Sequence, residues 1–246
     1  MPERLRIALL GGIHITLGGS RLEDFTSKKS PALLSYLATS GRSHTREALS
    51  GLLWGESSAE RARASLRTVL WDLRQQLAPF LSVDRQRVAL KEDAPLWLDV
   101  AEFRSAVEST LPKIDQRDEV LTGAQADALQ SGVSLYEGDF MAGFYLSEAP
   151  GFEAWVLKKR EWARQLAVQA LQRLVGHYTA RDAYLTGIDT ATRLLEIAPW
   201  KEEAHRQLML AGAVGAGENL AARDHEEVVV AEGGRPLADL RQAREV

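Results

Sequence analysis

Between residues 4 and 98 the spacing of apolar side chains changes from alternation to a helical period and back to alternation, an order few small folds accommodate. Leu5-Arg6-Ile7-Ala8-Leu9 and Ile13-His14-Ile15-Thr16-Leu17 alternate, with Gly11-Gly12 and Gly18-Gly19 between and after them. This predicts short strands joined by tight turns. From Ser30 the period lengthens. Pro31 suits a first helical turn, Leu33, Leu34, Leu37 and Ala38 follow at helical spacing, and Gly41 marks the end. Thr45 is a cap for a second short helix with Ala48, Leu49, Leu52 and Leu53 inward and Gly55 as its stop. A longer helix over 58–77 carries Leu66, Val69, Leu70, Leu73 and Leu77 within an arc of roughly 100° and ends before Pro79. Residues 80–83 and 87–90 then read as strands around the polar turn Asp84-Arg85-Gln86, and Trp97-Leu98 closes the unit.

Strands, three helices and a hairpin, in that order, are the order of a winged helix-turn-helix domain. Beyond residue 98 the pattern is almost wholly helical. Helices are expected near 99–109, 124–136, 150–179, 182–197, 201–214 and 218–231, with a weak one near 236–244 and an irregular stretch over 110–123 around Pro112. Two stretches have helical-hairpin character at a period near 34 residues, the tetratricopeptide spacing. In the first, Leu171, Leu174, Val175, Tyr178, Gly187, Ala191, Leu194 and Pro199 fall on the large and small positions; the second, from His205 to Val228, is poorer. The expected fold is mainly α with a small β component. A winged helix over 1–98 precedes an all-α, tetratricopeptide-like helical-repeat domain over 99–246.

Charge divides at the same place. The net charge of −4 conceals 14 Lys+Arg against 10 Asp+Glu in residues 1–98, and 16 against 24 beyond. The basic first part is a candidate for polyanions, although neighbouring domains often differ in charge without functional meaning. The absence of cysteine excludes disulfides, thiol nucleophiles and thiolate metal sites. No apolar run reaches the ~18 residues of a membrane span, and the start lacks a signal-peptide core. A soluble, cytoplasmic chain with no membrane partner is expected. His14, His44, His177, His205 and His225 have no metal-ligand spacing, and phosphate-loop, dinucleotide and nucleophile-elbow motifs are lacking. No enzymatic activity, cofactor or metal is therefore expected.

The helix over 58–77 carries the sharpest candidate chemistry. At ~100° per residue, Arg63, Arg67 and Arg74 fall within about 40° of one another beside the apolar stripe, and Arg61, Ala64 and Thr68 lie farther round with Trp71 between. A recognition helix needs this layout, because guanidinium forks bond guanine edges or phosphates in pairs. A solvated amphipathic helix has the same layout, and Asp72 counts against a uniformly phosphate-facing surface. The hairpin adds Arg85 and Arg87, either as a wing over the minor groove or phosphates or as an ordinary polar turn. Lys28, Lys29, Arg42 and Arg46 stand near the starts of the first two helices, where charge and backbone N–H groups together suit phosphates.

These residues resemble those of the SARP-type bacterial transcriptional activators, a response-regulator-type winged helix followed by a bacterial transcriptional activation domain. In the first part the resemblance rests on Leu10-Gly11-Gly12-Ile13, Lys29-Ser-Pro-Ala-Leu-Leu-Ser-Tyr-Leu-Ala, Leu53-Trp54-Gly55 and Leu73-Arg74-Gln75-Gln76-Leu77. In the second it rests on Leu135-Tyr136-Glu137-Gly138-Asp139-Phe140, Gly143-Phe144-Tyr145, Trp155 with Lys159-Arg160-Glu161, and the run from Ala198-Pro199-Trp200 to Leu208-Met209. It implies a sequence-specific activator that binds promoter direct repeats in double-stranded DNA and recruits RNA polymerase. It further implies Arg61, Arg63, Arg67, Thr68 and Arg74 as recognition-helix residues and Arg85 and Arg87 as wing residues; Arg46, from its place at the start of the second helix, is a further candidate DNA contact. The loop Gly55-Glu56-Ser57-Ser58 corresponds to one that contacts polymerase, and the helical domain is a candidate homodimer surface. Asp72 stands where the family usually has a basic residue, and Arg87-Val88 replaces its common wing Gly-Tyr pair. Tyr136, Phe140, Phe144, Tyr145, Trp155 and Trp200 are expected to fill a helical core, and Gly138-Asp139 to form a turn. Two alternatives remain: a helical-repeat adaptor acting through protein contacts, and the N-terminal fragment of a larger regulator.

Overall fold

The computed structural model describes residues 4–111 and 121–202, together with residues 205, 206 and 209. Two small sheets frame three helices. Strands β1 (Leu5–Ala8), β2 (His14–Leu17) and β3 (Ser20–Arg21) open the chain, and β7 (Leu96–Leu98) returns parallel to β1, giving the order β3-β2-β1-β7. The β1–β2 register pairs Leu5 with Leu17 and Ile7 with Ile15. Leu5 and Ile7 are therefore buried together on one face while Arg6, on the other, lies 4.0 Å over the Trp97 ring. The second sheet, in the order β4-β6-β5, joins β4 (His44–Thr45) to the hairpin of β5 (Leu81–Val83) and β6 (Arg87–Leu90).

Between the sheets run α1 (Lys29–Ser40), α2 (Arg46–Trp54) and α3 (Ala59–Leu77). Thr45 caps α2 by accepting from Ala48 N–H at 3.2 Å. The apolar stripe of α3, Leu66, Val69, Leu70, Leu73 and Leu77, is buried against Leu33, Leu34 and Leu37 of α1 and Leu49 and Leu53 of α2, which are themselves buried. Asp72 does not belong to the exposed face of α3. It is buried, accepts from Ser30 Oγ at 2.5 Å and from Thr26 N–H, and so satisfies groups at the start of α1, where the helix dipole favours a negative charge.

The chain continues through α4 (Asp99–Thr110), α5 (Gly123–Ser134), α6 (Pro150–Thr179) and α7 (Tyr184–Ile197). Helices α4 and α5 approach so closely that a Cβ on Gly132 would stand 2.7 Å from Ala106 Cβ. By packing, one compact unit extends to Leu174 and a second begins at Val175. Within the first unit the segment after α5 folds back onto β1. Met141 N–H donates to Leu9 O at 2.6 Å, Gly11 N–H donates to Asp139 O at 3.2 Å, and Leu10 bridges Phe140. Gly11 is required there, since its φ is +111° and a Cβ would meet that of Glu137 at 3.0 Å.

Arg160 holds this segment from α6, donating from Nε to Phe140 O at 2.8 Å and from Nη2 to Met141 O at 2.9 Å. Asp139 does more than turn the chain: it pairs with Arg164 at 2.8 Å and accepts from the Tyr136 hydroxyl at 3.3 Å. Trp155 meets Tyr36 of α1 edge-on at 4.9 Å and Phe140 at 5.4 Å. Of the aromatics expected in a core, Tyr136 and Phe140 are buried, but Tyr145 and Trp200 are 63% and 66% exposed. Aromatic character alone does not place a side chain inside. In the second unit α7 buries Gly187, Thr190, Ala191 and Leu194, and Gly187 faces Tyr178 Cβ at the distance of an ordinary contact. The helices expected near 218–231 and 236–244, and most of 201–214, lie outside the described residues.

Candidate nucleic-acid interface

Helix α3 is entered through Ser58, whose Oγ accepts from Arg61 N–H at 3.5 Å. Because its stripe is buried, Arg61, Arg63, Arg67, Thr68, Trp71 and Arg74 all point to solvent. Beside it, Asp84 shapes the tip of the β5–β6 hairpin, its Oδ1 accepting from Gln86 N–H and Arg87 N–H, both at 2.6 Å. These two N–H groups, with lesser help from Arg46 and Arg87, hold the Asp84 carboxyl below its ordinary range.

The start of α2, the flank of α3 and the hairpin tip enclose a cleft of about 610 Å³ lined by Thr45, Arg46, Glu47, Arg63, Leu66, Arg67, Arg85 and Gln86. Four of the expected arginines thus converge on one concavity. Leu66 is buried and adds no polarity, while Glu47 lies in the first turn of α2, where the dipole favours it.

The arginines nevertheless divide into two groups. Arg46 Nε donates to Asp84 O at 3.0 Å, Arg74 Nη2 to Val83 O at 3.2 Å, and Arg87 Nη1 to Ser43 Oγ at 2.7 Å. Each of these three ties the hairpin to a neighbouring element. By contrast, the guanidinium groups of Arg61, Arg63, Arg67 and Arg85 have no hydrogen-bond or ion-pair partner among the described residues. Thr68 Oγ1 donates back to Ala64 O at 3.3 Å and lies outside the cleft. Lys29 is turned away as well, lying 4.9 Å over the Trp54 ring and 3.7 Å from Glu148. The loop Gly55-Glu56-Ser57-Ser58 is exposed, Ser57 N–H donating to Trp54 O at 2.9 Å.

Sequence reasoning missed Asp99, which is buried at the start of α4. Its Oδ2 accepts from Leu9 N–H at 2.6 Å and Leu10 N–H at 2.8 Å, and its Oδ1 from Val100 N–H at 2.7 Å. Burial pushes its carboxyl up and the three N–H groups pull it back. An Asp directly after an apolar strand was the available signal, but a helix start explains such a residue equally well. Among the described residues no cluster of His, Asp and Glu is built to hold a metal, and no helix is long and apolar enough to cross a membrane.

A winged helix whose Arg61, Arg63, Arg67 and Arg85 lack partners among the described residues is thus packed, within one compact unit, with the helices that follow it as far as Leu174. The chain belongs to the bacterial transcriptional activator domain family, whose model matches residues 98–243. It is 28% identical over 213 residues to the regulatory protein AfsR of Streptomyces coelicolor, a match covering 84% of this chain and 20% of AfsR. The fold is similar to that of Mycobacterium tuberculosis EmbR, solved in complex with a low-affinity phosphopeptide, with a TM-score of 0.61 at 19% identity over 94% of this chain and 60% of that one. The resemblance to SARP-type transcriptional activators is thus supported by family, relative and fold. The chain spans about a fifth of the length of AfsR.

Proposed function

We propose that this chain is a sequence-specific DNA-binding transcriptional activator that reads promoter direct repeats through α3 and the β5–β6 wing. The observation that carries this reading is the convergence of Arg46, Arg63, Arg67 and Arg85 on one cleft, with the guanidinium groups of Arg63, Arg67 and Arg85 unpaired. Unpaired guanidinium forks on a rigid helix suit both guanine edges and phosphates. Arg61 and Thr68 extend the same surface, while Arg46, Arg74 and Arg87 brace the wing and remain near enough to its exposed face to touch the backbone of bound DNA. Residues 1–98 carry the reading head and residues 99–246 the activating part. The exposed loop Glu56-Ser57-Ser58 contacts RNA polymerase, and the helical part pairs two protomers on the repeats. Such a regulator acts in the cytoplasm, by binding rather than turnover.

The test is binding of the full chain to its own upstream DNA and to random DNA at about 50 and 200 mM salt. Tight binding to the upstream fragment, with the magnitude of the salt slope reduced by about 0.9 in Arg67→Ala for a phosphate contact, is the expected result. Equal, weak binding to every fragment of a genome-wide selection refutes the reading and leaves a helical adaptor.

A further inference from the structure

Trp71 is a large apolar side chain with no place in the core. It is 60% exposed at mid-surface of α3, and among the described residues its ring takes part in no aromatic pair and no cation–π contact. The other tryptophans of the first unit are engaged: Trp54 beneath Lys29, Trp97 beneath Arg6, Trp155 against Tyr36 and Phe140, and Trp162 beneath Lys159.

Its angular position is specific. At ~100° per residue, Ala64, Trp71 and Gln75 lie within about 40° of one another, almost diametrically opposite the centre of the buried stripe. Arg67 and Thr68 flank that line, one on each side. All five are exposed. The line opposite the core is the one a helix presents deepest to a groove floor, whereas flanking positions face the groove walls and their phosphates. Ala64, two turns before Trp71, is too small to hold the helix away from that floor.

We infer that Trp71 is a base-reading residue whose indole packs on the C5-methyl group of thymine in the major groove, a proposal that rests on the DNA-binding reading above. The thymine methyl is the apolar feature of the major-groove edges, and an indole is an apolar surface with one donor at its rim. The arginines then supply charge and polar readout while Trp71 supplies discrimination for thymine. Trp71→Ala is expected to weaken operator binding roughly 10-fold, within the range of a lost base-pair contact, and to leave the salt slope unchanged.

The experiment uses the full chain and an operator selected from random DNA, in which each thymine in turn is replaced by deoxyuridine. Deoxyuridine lacks only the methyl group. At one or two positions the wild-type chain should lose about 4-fold in affinity, as expected for one apolar carbon's burial, and Trp71→Ala should be indifferent there. No methyl-sensitive position in the wild-type scan overturns the inference without recourse to a variant. So does a Trp71→Ala chain that keeps every wild-type methyl sensitivity, or one that loses only cooperativity between two bound protomers, which marks a protein contact. Failure of the wild-type chain to prefer any selected sequence instead overturns the DNA-binding reading itself.

Discussion

Asp99→Ala is the substitution whose effect follows most directly from the structure. The carboxylate is buried and receives three backbone N–H groups, those of Leu9, Leu10 and Val100, at 2.6–2.8 Å. Truncation strands these donors in a region where Leu9, Leu10 and Val100 are themselves buried. An unsatisfied buried donor costs about 1–3 kcal/mol. Release of the carboxylate from burial, the cause of its raised pKa, offsets part of that total, so the lower end of the range applies. The net loss is about 3 kcal/mol, or a fall in Tm of roughly 6–12 °C for a unit of this size. Asp99→Asn preserves shape and one acceptor but turns an amide N–H₂ toward the remaining donors, so about half the loss is expected. Urea titration followed by tryptophan fluorescence and far-ultraviolet dichroism measures both variants. The sign with pH is fixed by the raised pKa: the native state holds the proton more tightly, so this group's contribution is complete below pH ~4 and is lost as pH rises through the folded value. The difference between wild type and Asp99→Asn isolates that slope. An Asp99→Ala chain within 0.5 kcal/mol of wild type refutes the assignment of Asp99 as the group holding the end of β1.

Two further outcomes concern the wing and the Tyr136 cluster. Asp84→Ala should speed hydrogen exchange at the Gln86 and Arg87 amides, which lose their acceptor, and leave Tm nearly unchanged because the carboxylate is wholly exposed; unchanged exchange at both amides contradicts the turn geometry. Tyr136 is pushed up to about 12 by burial, then by the charge and hydrogen bond of Asp139. In ultraviolet titration, referenced to Tyr136→Phe, Asp139→Asn should lower that midpoint while burial keeps it above the ordinary tyrosine value of about 10. A midpoint already at the ordinary value in wild type sinks the argument.

The elements of the winged helix were legible because each follows from local periodicity. The stripe from Leu66 to Leu77, the Thr45 cap and the hairpin around Asp84 need only their own neighbourhoods. What was illegible depends on partners far along the chain. Asp72 counts as a surface charge on a helical wheel, yet it meets Ser30, 42 residues earlier; Asp99 meets Leu9 at a separation of 90. A wheel places Lys29 at a helix start but not over Trp54 beside Glu148. Tyr145 and Trp200 carry the same hydrophobicity as Phe140, and only the backbone course decides which of them faces inward.

The same limit applies to the candidate site. Seven arginines of α2, α3 and the hairpin are alike in sequence, and geometry separates them by whether an oxygen lies within reach. Val83 O, Asp84 O and Ser43 Oγ engage Arg74, Arg46 and Arg87, which leaves Arg61, Arg63, Arg67 and Arg85 with their donors directed to solvent. The bracing group fixes the hairpin against α2, α3 and the segment before β4, and a fixed hairpin keeps Arg85 over the cleft that Arg63 and Arg67 line. On the proposed DNA-binding reading, removing a bracing arginine acts through the position of the wing, whereas removing a solvent-directed one acts through lost contacts. The end of β1 is clamped in the same way by Asp99 on one side and the Asp139–Met141 segment on the other. Packing thus ties the sheet of the winged helix to the helices that follow it, and a substitution at Arg160 or Arg164, which hold that segment, reaches the sheet through backbone hydrogen bonds rather than through the surface.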